Sequence, residues 1–251
     1  MRIMDANPPA NSASPGVFLT AEWRHLVMLN YEVDRSLLTN FVPAGTELDL
    51  WKGKAFISLV GFQFLNTKVL GIPFPFHRNF EEVNLRLYVR RREGGEAKRG
   101  VVFIREMVPR RAIAAVARVF YNENYVALPM SHHRQSNPDG ELAVEYGWKL
   151  GSRWNTMSLH VKGNPAPLDP GSEEHFLTQR DWGYTAQKDG SCVEYRVTHR
   201  AWRIWSGESV AVEAEMEELY GKDLAAILTS PPASAFLADG SEVTVSRGRR
   251  L

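Results

Sequence analysis

From His77 to Arg90 the chain reads His-Arg-Asn-Phe-Glu-Glu-Val-Asn-Leu-Arg-Leu-Tyr-Val-Arg, an alternation that suits a β-strand and no other regular element. Successive strand side chains point to opposite faces, so Val83, Leu85, Leu87 and Val89 share one face and Glu82, Asn84, Arg86 and Tyr88 the other. Two readings fit. Either this is a sheet with one dry and one wet side, or the polar row lines a ligand cavity in which mutual hydrogen bonds position Glu82 and Arg86.

The same rhythm recurs along the chain. Strands are predicted over Leu26–Val33, Phe56–Phe64, Val83–Arg91, Gly100–Met107, Glu141–Leu150, Trp154–Val161, Cys192–Arg200 and Glu208–Glu217. Gly94-Gly95 inside Arg90–Arg99 marks a hairpin turn, and Asn137-Pro138-Asp139-Gly140 marks another. Helical signals are few. Asp34 is a candidate N-cap for Arg35–Phe41, and Pro109 opens a helix over Arg110–Phe120. Ser172 starts a short helix ending near Arg180, and a fourth runs from Glu218 to Leu228. The expected fold is mainly β (α+β): a closed or nearly closed barrel of antiparallel strands with three or four short helices, because closure removes exposed strand edges. Residues 17–251 read as a single β-rich domain behind a flexible tail, residues 1–16, with two separate domains as the alternative.

Charge and cysteine content narrow the function. The 251 residues carry 30 Lys and Arg against 29 Asp and Glu, and a net charge of +1 provides no global field for nucleic acid or an anionic membrane. Cys192 is the single cysteine, which excludes an intramolecular disulfide and a cysteine-based zinc site, and it reads as a buried structural thiol. The most apolar stretch, Ala112–Val119, is interrupted by Arg118, so no membrane span is expected and the cytoplasm is the expected location. His132-His133 lies on a strand, where adjacent rings face apart, and His25, His77, His160, His175 and His199 show no ligand spacing; no metal and no cofactor are expected. Nucleophile-elbow, phosphate-loop and dinucleotide signatures are absent from the sequence.

A second constellation follows the polar strand. Arg105-Glu106-Met107-Val108-Pro109-Arg110-Arg111 carries a strand into a helix whose first residues hold two guanidinium groups, a place suited to a carboxylate or phosphate. Cations there oppose the helix dipole unless Glu106 or a bound anion offsets them; the alternative is that Glu106 merely pairs with an arginine at the surface. His77, just before the polar strand, joins the candidates, or it simply bonds a loop carbonyl. The Gly71-Ile-Pro-Phe-Pro-Phe76 run reads as a stiff loop over a barrel mouth or as a plug.

Three segments carry a resemblance: Phe80-Glu-Glu-Val-Asn-Leu-Arg-Leu-Tyr-Val-Arg90, Val102-Phe-Ile-Arg-Glu-Met-Val-Pro-Arg-Arg-Ala112 and Ser234-Ala-Phe-Leu-Ala-Asp-Gly-Ser-Glu-Val-Thr-Val-Ser-Arg-Gly248. They resemble the YqjF-like family of bacterial proteins, from about Trp23 to Arg249, and that family in turn resembles acetoacetate decarboxylase in fold. The resemblance implies a cone-like β-barrel around a small-molecule pocket. The decarboxylase motif places Arg-Glu before Pro and then tandem lysines, one forming a Schiff base; here Arg105-Glu106 precede Pro109 and Arg110-Arg111, with shorter spacing. Guanidinium stays protonated and is a poor nucleophile, so imine chemistry does not carry over unless a distant lysine such as Lys149 or Lys162 folds into the pocket. The resulting expectation is a pocket for a small organic anion such as a keto or enol acid, recognised by Arg86, Arg110 and Arg111 with Asn84 and His77. Glu82 and Glu106 would supply acid or base in non-covalent, lyase- or hydrolase-like chemistry. A carboxylate beside an arginine is held ionised, which favours a base. The alternatives are a non-catalytic binder of an apolar or amphipathic ligand, and a structural module, with homo-oligomers open in each case.

Overall fold

The computed structural model describes residues 16–73, 77–110 and 124–251. In chain order these form β1 (Val17–Val33), a 3-10 helix (Arg35–Phe41), β2 (Glu47–Leu48), β3 (Ala55–Val69), β4 (Ile72–Pro73), β5 (Phe80–Glu93) and β6 (Glu96–Val108). Then come β7 (Tyr125–Ala127), β8 (Met130–Ser136), β9 (Glu141–Leu150), β10 (Arg153–Lys162), β11 (Ala166–Pro167) and α1 (Glu173–Thr178). The remainder is β12 (Trp182–Ala186), β13 (Cys192–His199), β14 (Arg203–Glu213), α2 (Glu217–Tyr220), α3 (Lys222–Leu228), β15 (Ser234–Ser246) and β16 (Arg249–Arg250).

Seven of these strands close a circuit, β13-β12-β6-β5-β3-β1-β15 and back to β13. It is a ring but not a regular barrel. β12 meets β6 in parallel over only two residue pairs, Trp182 with Gly100 and Gly183 with Val101. β15 forks: Phe236–Ala238 pairs with β14, while Val243–Val245 pairs with β13. Through β14 the sheet continues into β10, β9 and β8, which fold over the outer face of the ring as a second layer.

Among the described residues two large apolar cores result, with a small third cluster at Phe18, Tyr195 and Val197. Val83, Leu85, Leu87 and Val89 of β5 pack outward with Val27, Leu29, Ile57 and Leu59 against Tyr146, Trp148, Met157 and Leu159 of the second layer. The inner core gathers Leu26, Met28, Val60, Phe62, Phe64, Phe80, Tyr88 and Trp202. The alternation expected of β5 is therefore correct, and its polar face is not wet: Glu82 is 2% and Arg86 7% exposed.

Inward-facing positions do not keep one parity along the ring strands. On β1 Ala21 and Trp23 point inward, then Leu26 and Met28, with a register shift and a left-handed residue, His25 (φ 52°), between them. β3 switches from Phe62 and Phe64 to Thr67 and Val69 across Asn66 (φ 55°), and β15 from Phe236 and Ala238 to Val243 and Val245 across Gly240 (φ 80°). On β1 and β3 the switch coincides with a register shift, a β-bulge, whereas at Gly240 the register of β15 against β1 is continuous and the left-handed backbone alone exchanges the faces.

Each strand predicted from sequence falls on an observed strand, with β14 ending at Glu213 because Glu217 begins a helix. The strand expected around His132-His133 is β8, while β12 and β15 carry no strand expectation from the sequence. Asp34 caps the 3-10 helix by accepting from the Ser36 N–H, and Ser172 caps α1 by accepting from His175. The helix expected over Glu218–Leu228 is two, divided at Gly221 (φ 77°). The helix expected over Arg110–Phe120 lies, beyond Arg110, outside the described residues. Among the described residues no helix is long and apolar enough to cross a membrane.

Gly240 tests the role of the left-handed switches. A methyl group there would run into the Trp23 carbonyl from a left-handed backbone. Gly240→Ala is expected to lower the unfolding free energy by about 2–4 kcal/mol, read by chemical denaturation.

Candidate functional site

The polar row of β5 faces a cavity of about 160 Å³ inside the ring, on the order of the volume that holds one benzene ring. Glu82, Asn84, Arg86, Glu106 and His77 all line it. Glu106 enters through a bulge in β6. Leu85 pairs with Arg105 but Arg86 with Phe103, so Ile104 is the extra residue. Val101 and Phe103 point inward before the bulge; past it Glu106 does, opposite Asn84. Without the bulge Arg105 would take that place and Glu106 would turn to the outer core. Glu106 is buried, so a surface pairing with Arg110 is not what holds it.

The polar groups are held by specific bonds. Asn84 Nδ2 donates to Glu82 Oε1 at 2.9 Å, and the Tyr125 hydroxyl donates to Glu82 Oε2 at 3.2 Å. Arg86 Nη2 donates to the Leu177 carbonyl at 3.3 Å and touches Met28 Sδ at 3.8 Å. The mutual Glu82–Arg86 bond expected from sequence is thus replaced: four residues of extended chain, about 13 Å, separate their origins, and each finds nearer partners.

Sequence reasoning missed Arg180, which follows α1 and is 4% exposed. It lines the same cavity, and its Nη1 donates to Asp49 Oδ2 at 2.5 Å. Both guanidinium groups converge on one ring: Cζ of Arg86 lies 5.7 Å and Cζ of Arg180 5.0 Å from the Tyr88 centroid. Arg180 also stacks on Phe176 at 3.9 Å. Asp49 is shared with Arg90 at 3.8 Å and Arg99 at 3.6 Å, so one carboxylate faces several cations and this end of the cavity keeps excess positive charge. Arg86 Nε, Arg180 Nε and Arg180 Nη2 are buried without a protein partner among the described residues. Burial pulls the Arg180 pKa below the usual arginine value, opposed by Asp49.

Not every predicted residue joins this group. Arg110 is exposed beyond the end of β6 and does not line the cavity, and Arg111 lies outside the described residues. Among the described residues no lysine lines the cavity. Lys149 sits on β9 in the second layer, and Lys162 is exposed and paired with Glu141. Burial pushes the Cys192 thiol up to about 11, away from nucleophilic use. His132 bonds Glu81 and Gln63, and among the described residues no three His, Cys, Asp or Glu gather as a metal set. The ends of the Gly71–Phe76 loop, Val69 and His77, both line the cavity, while residues 74–76 lie outside the described residues.

A family model named DUF2071 and described as an uncharacterised conserved protein matches residues 20–242. The chain belongs to the DUF2071 family. It is 28% identical over 206 residues to the uncharacterised protein YqjF of Bacillus subtilis (strain 168), covering 79% of this chain and 80% of that one. Acetoacetate decarboxylase from Legionella pneumophila superposes with a TM-score of 0.64 at 16% identity, over 99% of this chain and 92% of that one. The enduracididine biosynthesis enzyme MppR complexed with pyruvate gives 0.64 at 15% identity, over 95% and 91%. This DUF2071 chain therefore has the acetoacetate-decarboxylase-like fold.

His199 reports on the same interior. Its ring stacks on Trp202 at 4.4 Å, and burial, aided by the charge on Arg86, lowers its pKa below 6.5 against the bond to the Arg200 carbonyl. The unfolded chain then binds a proton at a higher pH than the folded one, so His199 costs stability as pH falls through 6.5 toward its depressed folded value. His199→Gln is expected to flatten that part of the midpoint-against-pH curve, measured calorimetrically between pH 7.5 and 5.

Proposed function

We propose that this chain, with residues 17–251 acting as one unit, binds a small organic anion such as a keto or enol acid within the ring. The carboxylate is seated on Arg86 and Arg180. The observation that carries this reading is the pair of buried guanidinium groups over Tyr88, whose N–H groups at Nε and at Arg180 Nη2 have no protein partner among the described residues. A buried donor without an acceptor is costly, by about 1–3 kcal/mol and more when charged, and a bidentate carboxylate satisfies guanidinium geometry directly. The shared fold with MppR, solved with pyruvate, supports the ligand class.

Arg180 takes the role that sequence reasoning gave to Arg110, which is exposed. Asn84 and His77 orient the ligand. Glu82 and Glu106 then stand one or two rungs from the bound carboxylate, about 7–13 Å along the strand, where the carbon skeleton would lie. There they serve as proton acceptor and donor in non-covalent acid–base chemistry. An imine route has no lysine at the cavity wall among the described residues.

A ligand that binds only the folded form raises its stability, by about 2.7 kcal/mol at a hundredfold excess over Kd. Pyruvate and acetoacetate are expected to raise the thermal midpoint of the wild type and of Arg110→Ala, and to leave Arg86→Gln and the paired Asp49→Asn/Arg180→Gln variant unmoved. Equal shifts in all four proteins refute the seating. Borohydride added with acetoacetate is expected to leave the mass of the chain unchanged; a covalent increment would reinstate the imine.

A further inference from the structure

The interior of the ring is sorted along its length. The strand registers place Leu19 beside Val69, then Trp23 beside Phe64 beside Phe80, then Phe62 beside Glu82. Asn84 and Glu106 form the next polar level, and Arg86 lies beyond them. Phe80, Glu82, Asn84 and Arg86 are successive inward positions on β5, and all four line the same cavity. One end is therefore aromatic and the other cationic, with the carboxylates between.

The aromatic end is a packed cluster whose faces and edges line the cavity. Phe64 and Phe80 stack with centroids 4.6 Å apart and planes 14° apart. Trp23 meets Phe62 edge-on at 5.3 Å and Phe64 edge-on at 5.8 Å. Beyond this level the strand ends carry exposed apolar side chains, Val17, Leu70 and Ile72. The polar end is the reverse: Arg180 shares Asp49 with two further arginines. A short acid such as pyruvate engages the cationic end and leaves the aromatic level without an apolar occupant.

We infer that the ligand is a monocarboxylate with a single-ring apolar body, an arylalkyl or aryl keto acid, whose ring lies among Trp23, Phe62, Phe64 and Phe80 while its carboxylate reaches Arg86 and Arg180. This rests on the anion reading above and adds the nature of the body. Aromatic faces and edges favour offset-stacked and edge-on contacts with a further ring. The cavity, about 160 Å³, is of the size that accepts one ring and a short acid chain. Burial of a phenyl group contributes about 1.5–3 kcal/mol, which corresponds to roughly 10- to 100-fold in affinity.

Titration calorimetry on the full chain with propanoate, 3-phenylpropanoate and the neutral 3-phenylpropanamide tests this. The phenyl acid is expected to bind on the order of 10- to 100-fold tighter than propanoate and well above the amide. Phe64→Leu, which keeps the site apolar, is expected to shrink the phenyl advantage and leave propanoate unchanged. Propanoate binding as tightly as 3-phenylpropanoate overturns the inference and leaves the anion reading standing. The amide binding as tightly as the acid overturns both, as does binding by none of the three. A phenyl advantage unaltered in Phe64→Leu places the ring elsewhere and overturns the inference.

Discussion

The structure depends on removing a row of polar side chains from water on a strand whose other face is already buried. Val83, Leu85, Leu87 and Val89 are committed to the outer core, so Glu82, Asn84, Arg86 and Tyr88 must face inward once the ring closes. Ionised groups tolerate such burial only with partners, and each is provided for locally: Tyr125 and Asn84 for Glu82, the Leu177 carbonyl for Arg86 and Asp49 for Arg180. Closure thus creates the chemistry of the interior as well as its walls.

Bulges and left-handed residues convert that constraint into a usable shape. Strands of 13 to 17 residues cannot wrap a narrow interior while straight, and β1, β3 and β15 each turn at one left-handed residue. The bulge in β6 does more, since it decides which of two adjacent residues, Arg105 or Glu106, enters the cavity. Curvature and side-chain placement therefore come from the same local irregularities. A ring built from regular strands would present a different set of charges.

This division explains what was legible in the sequence. The alternation in β5 exposed its two faces directly, and four of the residues singled out on or beside it, with Glu106, share one cavity. Strand alternation could not show that the polar face was enclosed, because a solvated face and a cavity wall have the same period. The β6 bulge was illegible for a related reason: a one-residue slip leaves no compositional mark. Arg180 carried no local signal, since its partner Asp49 lies 131 residues away and its role exists only when α1 is docked near β5. Arg110 and Arg111 looked like an anion site as neighbours in sequence, yet Arg110 lies exposed at the end of β6.

The use of arginine has a chemical consequence for the proposed ligand site. A lysine in an apolar pocket is easily deprotonated and becomes a nucleophile, whereas a guanidinium remains charged even where burial lowers its pKa, as at Arg180. Under the proposed function the cationic end would stay an anion receptor across ordinary pH, and proton transfer would fall to the carboxylates. Glu82 is constrained by two donors, while Glu106 stands at the level of Asn84 on the facing strand. Guanidinium groups at one end and carboxylates in the middle are arranged in sequence along a single wall, so a bound acid would meet them in an order set by the strand itself.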